Sequence, residues 1–176
     1  ITRTARPSCG WNQLTYYCTF LSGKDEKEEI TLYHHDKRRS GLVAQEFLSD
    51  YAGYVHCDIH GAYRQLENAK LVGCWAHVRR KFFEATPKQA DKSSLAFKGL
   101  CYCDKMFALE ESWADLSLQD RLMKRQDELE PLMAEFFDWC RRQAVLPGSK
   151  LGRAIEYSLK YEETFRAVLK DGSLDL

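Results

Sequence analysis

Apolar and polar positions change their spacing partway along the chain, and that change divides it into two kinds of structure. Residues 14–22 (LTYYCTFLS) and 29–35 (EEITLYH) are dense in aromatic and β-branched side chains, with the polar stretch Gly23 to Lys27 between them. Such runs suit a pleated, half-buried surface, and a short polar gap suits a turn, so the pair predicts an antiparallel hairpin. Beyond the basic link Lys37-Arg38-Arg39, Ser40 can cap a helix running to about Asp50, with Leu42, Val43, Phe47 and Leu48 along one side. Tyr54 to Asp58 is a short apolar run and predicts a buried strand ending on an aspartate. Gly61 to Glu67 can form one or two helical turns, and Lys70 to Trp75 predicts the next strand, feeding a helix over Val78 to Ala85. The first dozen residues carry no clear pattern.

From residue 93 onward the apolar period becomes helical. Segments 93–115, 118–144 and 150–170 each place apolar residues at helical spacing, as in Leu122, Leu129, Leu132, Met133, Phe136, Phe137 and Cys140. Ser93 or Ser94, Ser117 and Ser149 are their starting caps. Pro131 should kink or split the second segment, because its ring removes an amide donor and crowds the preceding turn. Pro147-Gly148 marks a break and Gly172 a helix end. A hairpin, a helix, a strand, a short helix, a strand and then helices only predict an α/β sheet followed by an all-helical elaboration.

With 176 residues, 44% hydrophobic and 30% charged, the chain is long enough for one well-buried domain or a small domain with a large insertion. No apolar run reaches the roughly 18 residues of a membrane-spanning helix, and Ile1 to Gly10 lacks the apolar block of a signal peptide. The expected location is cytoplasmic, with no membrane partner. Seven cysteines, an odd number scattered through patterned segments, suit a reducing compartment better than a disulfide framework. Basic and acidic residues balance at 26 each, so attraction to a polyanion would have to be local.

Asp58 is the first candidate for chemistry, since ligands of open α/β sheets collect beyond the carboxyl ends of strands. Its bland alternative is a cap for the turn near Gly61. A lone carboxylate holds magnesium poorly, and two-metal phosphoryl transfer requires several converging carboxylates, so Asp58 needs partners. Cys74 and His77 form a Cys-x-x-His that could supply half a zinc site, or could be a buried cysteine and a hydrogen-bonded histidine. Arg79-Arg80-Lys81 follows at the start of the next helix, where three cations can contact phosphates or simply form a solvated face. Glycine-rich phosphate loops, Gly-x-Ser-x-Gly and His-Glu-x-x-His are all missing, which removes nucleotide-binding, serine-hydrolase and common metalloprotease readings.

Arg39-Ser40-Gly41, Asp50-Tyr51-Ala52-Gly53-Tyr54, Asp58 and above all Gly73-Cys74-Trp75-Ala76-His77-Val78-Arg79-Arg80-Lys81-Phe82-Phe83-Glu84-Ala85 resemble the insertion-sequence-66-type DDE transposases of bacteria. The similarity continues through Pro147 to Tyr157 and on to Leu169-Lys170-Asp171-Gly172. The resemblance implies a ribonuclease-H-like core in which three acidic residues bind two magnesium (or manganese) ions and drive DNA strand cleavage and joining. By it, Asp58 matches the second acidic residue, Cys74 and His77 match a signature between the second and third, and Arg39, Arg79, Arg80 and Lys81 become candidate DNA-phosphate contacts. It implies a partial core over 1–85, a helical insertion over 86–148 and a helix leading back toward the core over 149–176. DNA at the element's ends and target, and other copies of the transposase, are the implied partners.

The departures are specific. The family's first aspartate, in an Asp-Glu-Thr stretch, has no acidic counterpart in Ile1 to Thr15, and its third residue, a glutamate, would lie past Leu176. Ile59-His60 stands where the family usually has Gly-Tyr. An excised piece or a decayed copy would both account for the gaps, and either is expected to be inactive alone. Two other classes stay open: a non-catalytic helical interaction module, and a zinc-binding module using Cys74 and His77.

Overall fold

A computed structural model of the chain describes residues 3–6, 15–23, 28–37, 42–59, 61, 63, 66–87 and 93–176. They fall into two compact units, Ile1–Val72 and Gly73–Leu176.

In the first unit the expected hairpin is present. β2 (Thr15–Leu21) pairs antiparallel with β3 (Thr31–Asp36), with Cys18 opposite His34 and Phe20 opposite Leu32. β1 (Arg3–Arg6), which the sequence did not predict, adds antiparallel to the other edge of β2 and gives the order β1-β2-β3. Alternation along β2 sends Cys18 and Phe20 inward and leaves Leu21 exposed, as the two-residue period of a strand requires. Cys18 and Phe20 cluster with Val43 of α1 (Leu42–Leu48), and Phe47 of the same helix stacks on Phe20 with ring centroids 4.5 Å apart. Ser40, the expected cap of this helix, and Arg39 lie outside the described residues. β4 (Gly53–Cys57) and β5 (Ala69–Gly73) are hydrogen-bonded neighbours in a second sheet. The turns expected over Gly61 to Glu67 fall partly outside the described residues.

The second unit is helical. α2 (Trp75–Ala85) packs against α3 (Leu95–Ser112) and α6 (Lys150–Lys160). Ser94, Ser117 and Ser149 are N-caps as expected, accepting from the amides of Phe97 at 3.2 Å, Asp120 at 3.2 Å and Gly152 at 2.9 Å. Segment 118–144 is interrupted: α4 (Leu118–Lys124) passes through a π-helical turn, Arg125–Leu129, into α5 (Glu130–Arg141). Pro131 sits in the first turn of α5, where its missing amide is harmless, and the wide turn lies just before it. Segment 150–170 breaks at Tyr161 into α6, α7 (Glu162–Arg166) and a 3-10 turn, Ala167–Lys170.

Aromatic rings fill the middle of this unit. Trp75 is fully buried, with ring centroids 5.6, 5.8 and 5.3 Å from Phe136, Phe137 and Phe165. Phe82, two turns further along the same face of α2, meets Phe136 and Trp139. Gly172 passes so close to the Leu118 carbonyl that a Cβ there would collide with backbone, so its glycine is a packing requirement besides a helix stop.

Candidate functional site

Asp58 follows β4 directly, as the sequence led us to expect. It is half-buried, at the end of a strand whose Val55 and Cys57 are buried. The chain then turns sharply: Ile59 has φ 55°, the described residues' one left-handed non-glycine, and its side chain is buried. A β-branched residue there pushes Cβ against backbone oxygen, a cost of about 1–2 kcal/mol that explains why glycine suits the position. Among the described residues, no group of three or more His, Cys, Asp or Glu is placed to hold a metal ion.

Cys74, His77 and the three cations belong to the second unit. The sequence put Cys-x-x-His on the end of a strand, with a helix from Val78. The structure corrects both points, because β5 stops at Gly73 and α2 begins at Trp75. The apolar run had disguised the junction: Trp75 reads equally well as strand or helix, and only its burial against α5 and α7 decides. Cys74 is therefore the N-cap of α2, and its carbonyl accepts from the His77 amide at 3.1 Å. The cysteine side chain makes no capping hydrogen bond. Cys103 and Cys140, the cysteines buried deepest in this unit, are held as thiols, since burial pushes both up, Cys140 to about 12.

Arg79, Arg80 and Lys81 consequently lie in the second turn of α2, not at its start. Arg79 Nε donates to Asp104 Oδ1 of α3 at 2.6 Å, a half-exposed pair contributing about 0.2–1 kcal/mol. Arg80 is exposed, and the Lys81 ammonium sits 4.6 Å from the ring centroid of Tyr157 on α6. Of the long motif at 73–85, then, Trp75, Val78 and Phe82 form core, Arg79 pairs internally, and two cations remain on the surface side.

Sequence reasoning missed Arg125. Its guanidinium is completely buried, and all of its N–H groups are engaged: Nε and Nη2 grip Glu110 at 2.6 and 2.8 Å, Nη1 donates to the carbonyls of Val168 at 3.1 Å and Asp171 at 2.8 Å, and Nη2 also donates to Leu174 at 2.6 Å. Within the charge-rich string Lys124 to Glu128 nothing distinguishes it from a surface cation. The π-helical turn that begins at Arg125 leaves both it and Leu129 facing inward.

Asp171 Oδ1 accepts from the Ser173 amide at 2.9 Å and from its hydroxyl at 2.7 Å. These bonds, amide first, hold the Asp171 carboxyl below the usual carboxylate range, with Arg125 assisting. A lowered folded-state pKa means that the stabilisation is complete above about pH 4 and is lost as pH falls through the folded value. Urea midpoints taken from neutral pH downward should therefore decline more steeply in the wild type than in Asp171→Asn, which has no proton to gain.

Among known proteins, residues 3–176 match the sequence model described as "Transposase IS66 family". The chain is similar to uncharacterized protein y4hP of Sinorhizobium fredii (strain NBRC 101917 / NGR234), 27% identical over 192 aligned residues that take in 98% of this chain and 35% of that protein. Protein y4qI of the same strain is 27% identical over 184 residues, 88% of this chain and 34% of its own length. Protein y4jD is 25% identical over 157 residues, 82% and 30% respectively. The chain thus spans about a third of the length of the curated relatives it matches. No solved structure matches. With the family model matched from β1 through the last residue, the chain belongs to the IS66 family of transposases.

Proposed function

We propose that the chain forms part of the catalytic region of a transposase that cleaves and joins DNA strands, with Asp58 as one of its metal-binding carboxylates in a ribonuclease-H-like core. The observation that carries this reading is the place of Asp58: half-buried, directly after a paired strand, and followed by a left-handed turn. Hard oxygen donors suit magnesium or manganese, and a single carboxylate cannot organise two such ions. Among the described residues no group of three or more His, Cys, Asp or Glu could hold a metal ion. The remaining carboxylates would come from the additional length that the relatives possess. The 176-residue chain alone is accordingly expected neither to cleave nor to join DNA, while the whole protein works on the element's ends and its target together with further copies of itself.

The test is nicking of supercoiled DNA by a protein extended to the relatives' length, supplied with magnesium or manganese. Wild type should nick and Asp58→Asn should not. Equal activity from both would sink the assignment of Asp58 and favour a helical interaction module, in which that residue only caps a turn.

A further inference from the structure

We infer that the outer face of α6, with Lys81 of α2 beside it, is a docking surface for the phosphate backbone of duplex DNA; this rests on the reading of the protein as one that works on DNA. α6 buries Ala154, Ile155 and Ser158. Residues three and four apart share a helix face, so Lys150, Arg153, Tyr157 and Lys160 run along one stripe beside the buried one, with Tyr161 just past the helix end. Lys150, Arg153 and Lys160 are exposed, and none forms an ion pair with an acidic side chain among the described residues. Lys81 extends over Tyr157, and Lys160 lies 5.5 Å from the Tyr161 ring centroid. Contact with a ring leaves the ammonium charge in place, so both lysines remain available to an anion.

Three carboxylates moderate the face, among them the exposed Glu163 three residues beyond Lys160. Glu156 lies at its edge, one turn from Arg153 and Lys160, and the exposed Glu84 follows Lys81 on α2. Four cations still outnumber them. Because the whole chain is neutral, attraction to a polyanion has to come from such a local excess. From Lys150 to Lys160 a helix rises about 15 Å, which spans several phosphates at about 3.4 Å of axis per nucleotide. Lysine, arginine and tyrosine hydroxyl groups are the usual partners of phosphate oxygens, and such contacts bind without reading sequence. This face differs from the one the sequence nominated, since Arg79 is already engaged by Asp104.

The test is binding of the 176-residue chain to a fluorescent mixed-sequence duplex, with chelator present, between about 50 and 200 mM salt. The triple variant Lys150→Gln, Arg153→Gln, Lys160→Gln should bind at least about tenfold more weakly at the low-salt end, and its plot of log affinity against log salt should flatten by about 2.7, near 0.9 for each lost phosphate contact. Lys98→Gln, Lys105→Gln, Lys170→Gln removes the same charge from other exposed positions and should keep both affinity and slope. The exchange Lys150→Arg, Arg153→Lys, Lys160→Arg should behave as wild type, which separates lost charge from lost fold. No DNA binding by wild type, wild-type binding by the first variant, or an equal loss in the second would each overturn the proposal. Asp58→Asn should bind normally, so a failed nicking test with this pattern intact would remove Asp58 from the mechanism and leave the interface standing.

Discussion

Arg125→Ala should lower the stability of residues 73–176 by about 3–5 kcal/mol, because it strands a largely buried carboxylate and three buried or part-buried carbonyls at once. The guanidinium is wholly enclosed, whereas Glu110 keeps a small exposure. Taking both charges out of water costs several kcal/mol per ion, which the bidentate geometry and the carbonyl bonds offset. Removing the cation alone leaves that desolvation uncompensated. Arg125→Lys keeps the charge but cannot reach Glu110 and the carbonyls of Val168, Asp171 and Leu174 together, so it should recover only part of the loss. Urea unfolding followed by far-ultraviolet circular dichroism would check both variants. A loss under about 1 kcal/mol for Arg125→Ala, the range of an exposed pair, would show that the guanidinium is not enclosed in solution.

Trp75→Ala should cost a similar amount, about 3–5 kcal/mol, through lost burial and the cavity left among Phe136, Phe137 and Phe165. Trp75→Phe isolates a second component. The indole N–H donates to the Phe165 carbonyl at 3.2 Å, inside the core. A phenyl ring fills much of the same space but leaves that carbonyl unsatisfied, which adds about 1–3 kcal/mol to the packing loss. Both variants are readable by the same urea titration. If alanine and phenylalanine prove equally mild, the second unit is not organised around this ring.

These two residues also show what the sequence made legible. Periodicity located the hairpin, the capped helices and the break near Pro131 because local rules governed them: alternation along β2, a hydroxyl three residues ahead of each helix's third amide, and a proline without a donor. Asp58 was legible for the same reason, as a polar residue closing an apolar run. The start of α2 was not, since Cys74 to His77 carry no local signal that outweighs the burial of Trp75. Nor was β1, whose pairing with β2 is a tertiary event in a stretch without an apolar pattern. Arg125 was hidden most completely, because its partners at Glu110, Val168, Asp171 and Leu174 lie 15 to 49 residues away along the chain. The motif at 73–85 that identified the family turns out to be mainly hydrophobic core with a charged rim, so its resemblance to relatives reports packing as much as chemistry.

Ile59 gives the region around Asp58 a property that a glycine would not. With glycine the bend after β4 would be a local preference, available to the chain before anything else had formed. With isoleucine the same bend is uphill by itself and persists only while the side chain stays buried. The direction in which Asp58 presents its oxygens is thereby conditional on the neighbouring hydrophobic contact. Loosening that contact would let the backbone swing toward an extended path and carry the carboxylate with it, with no residue of the strand itself altered.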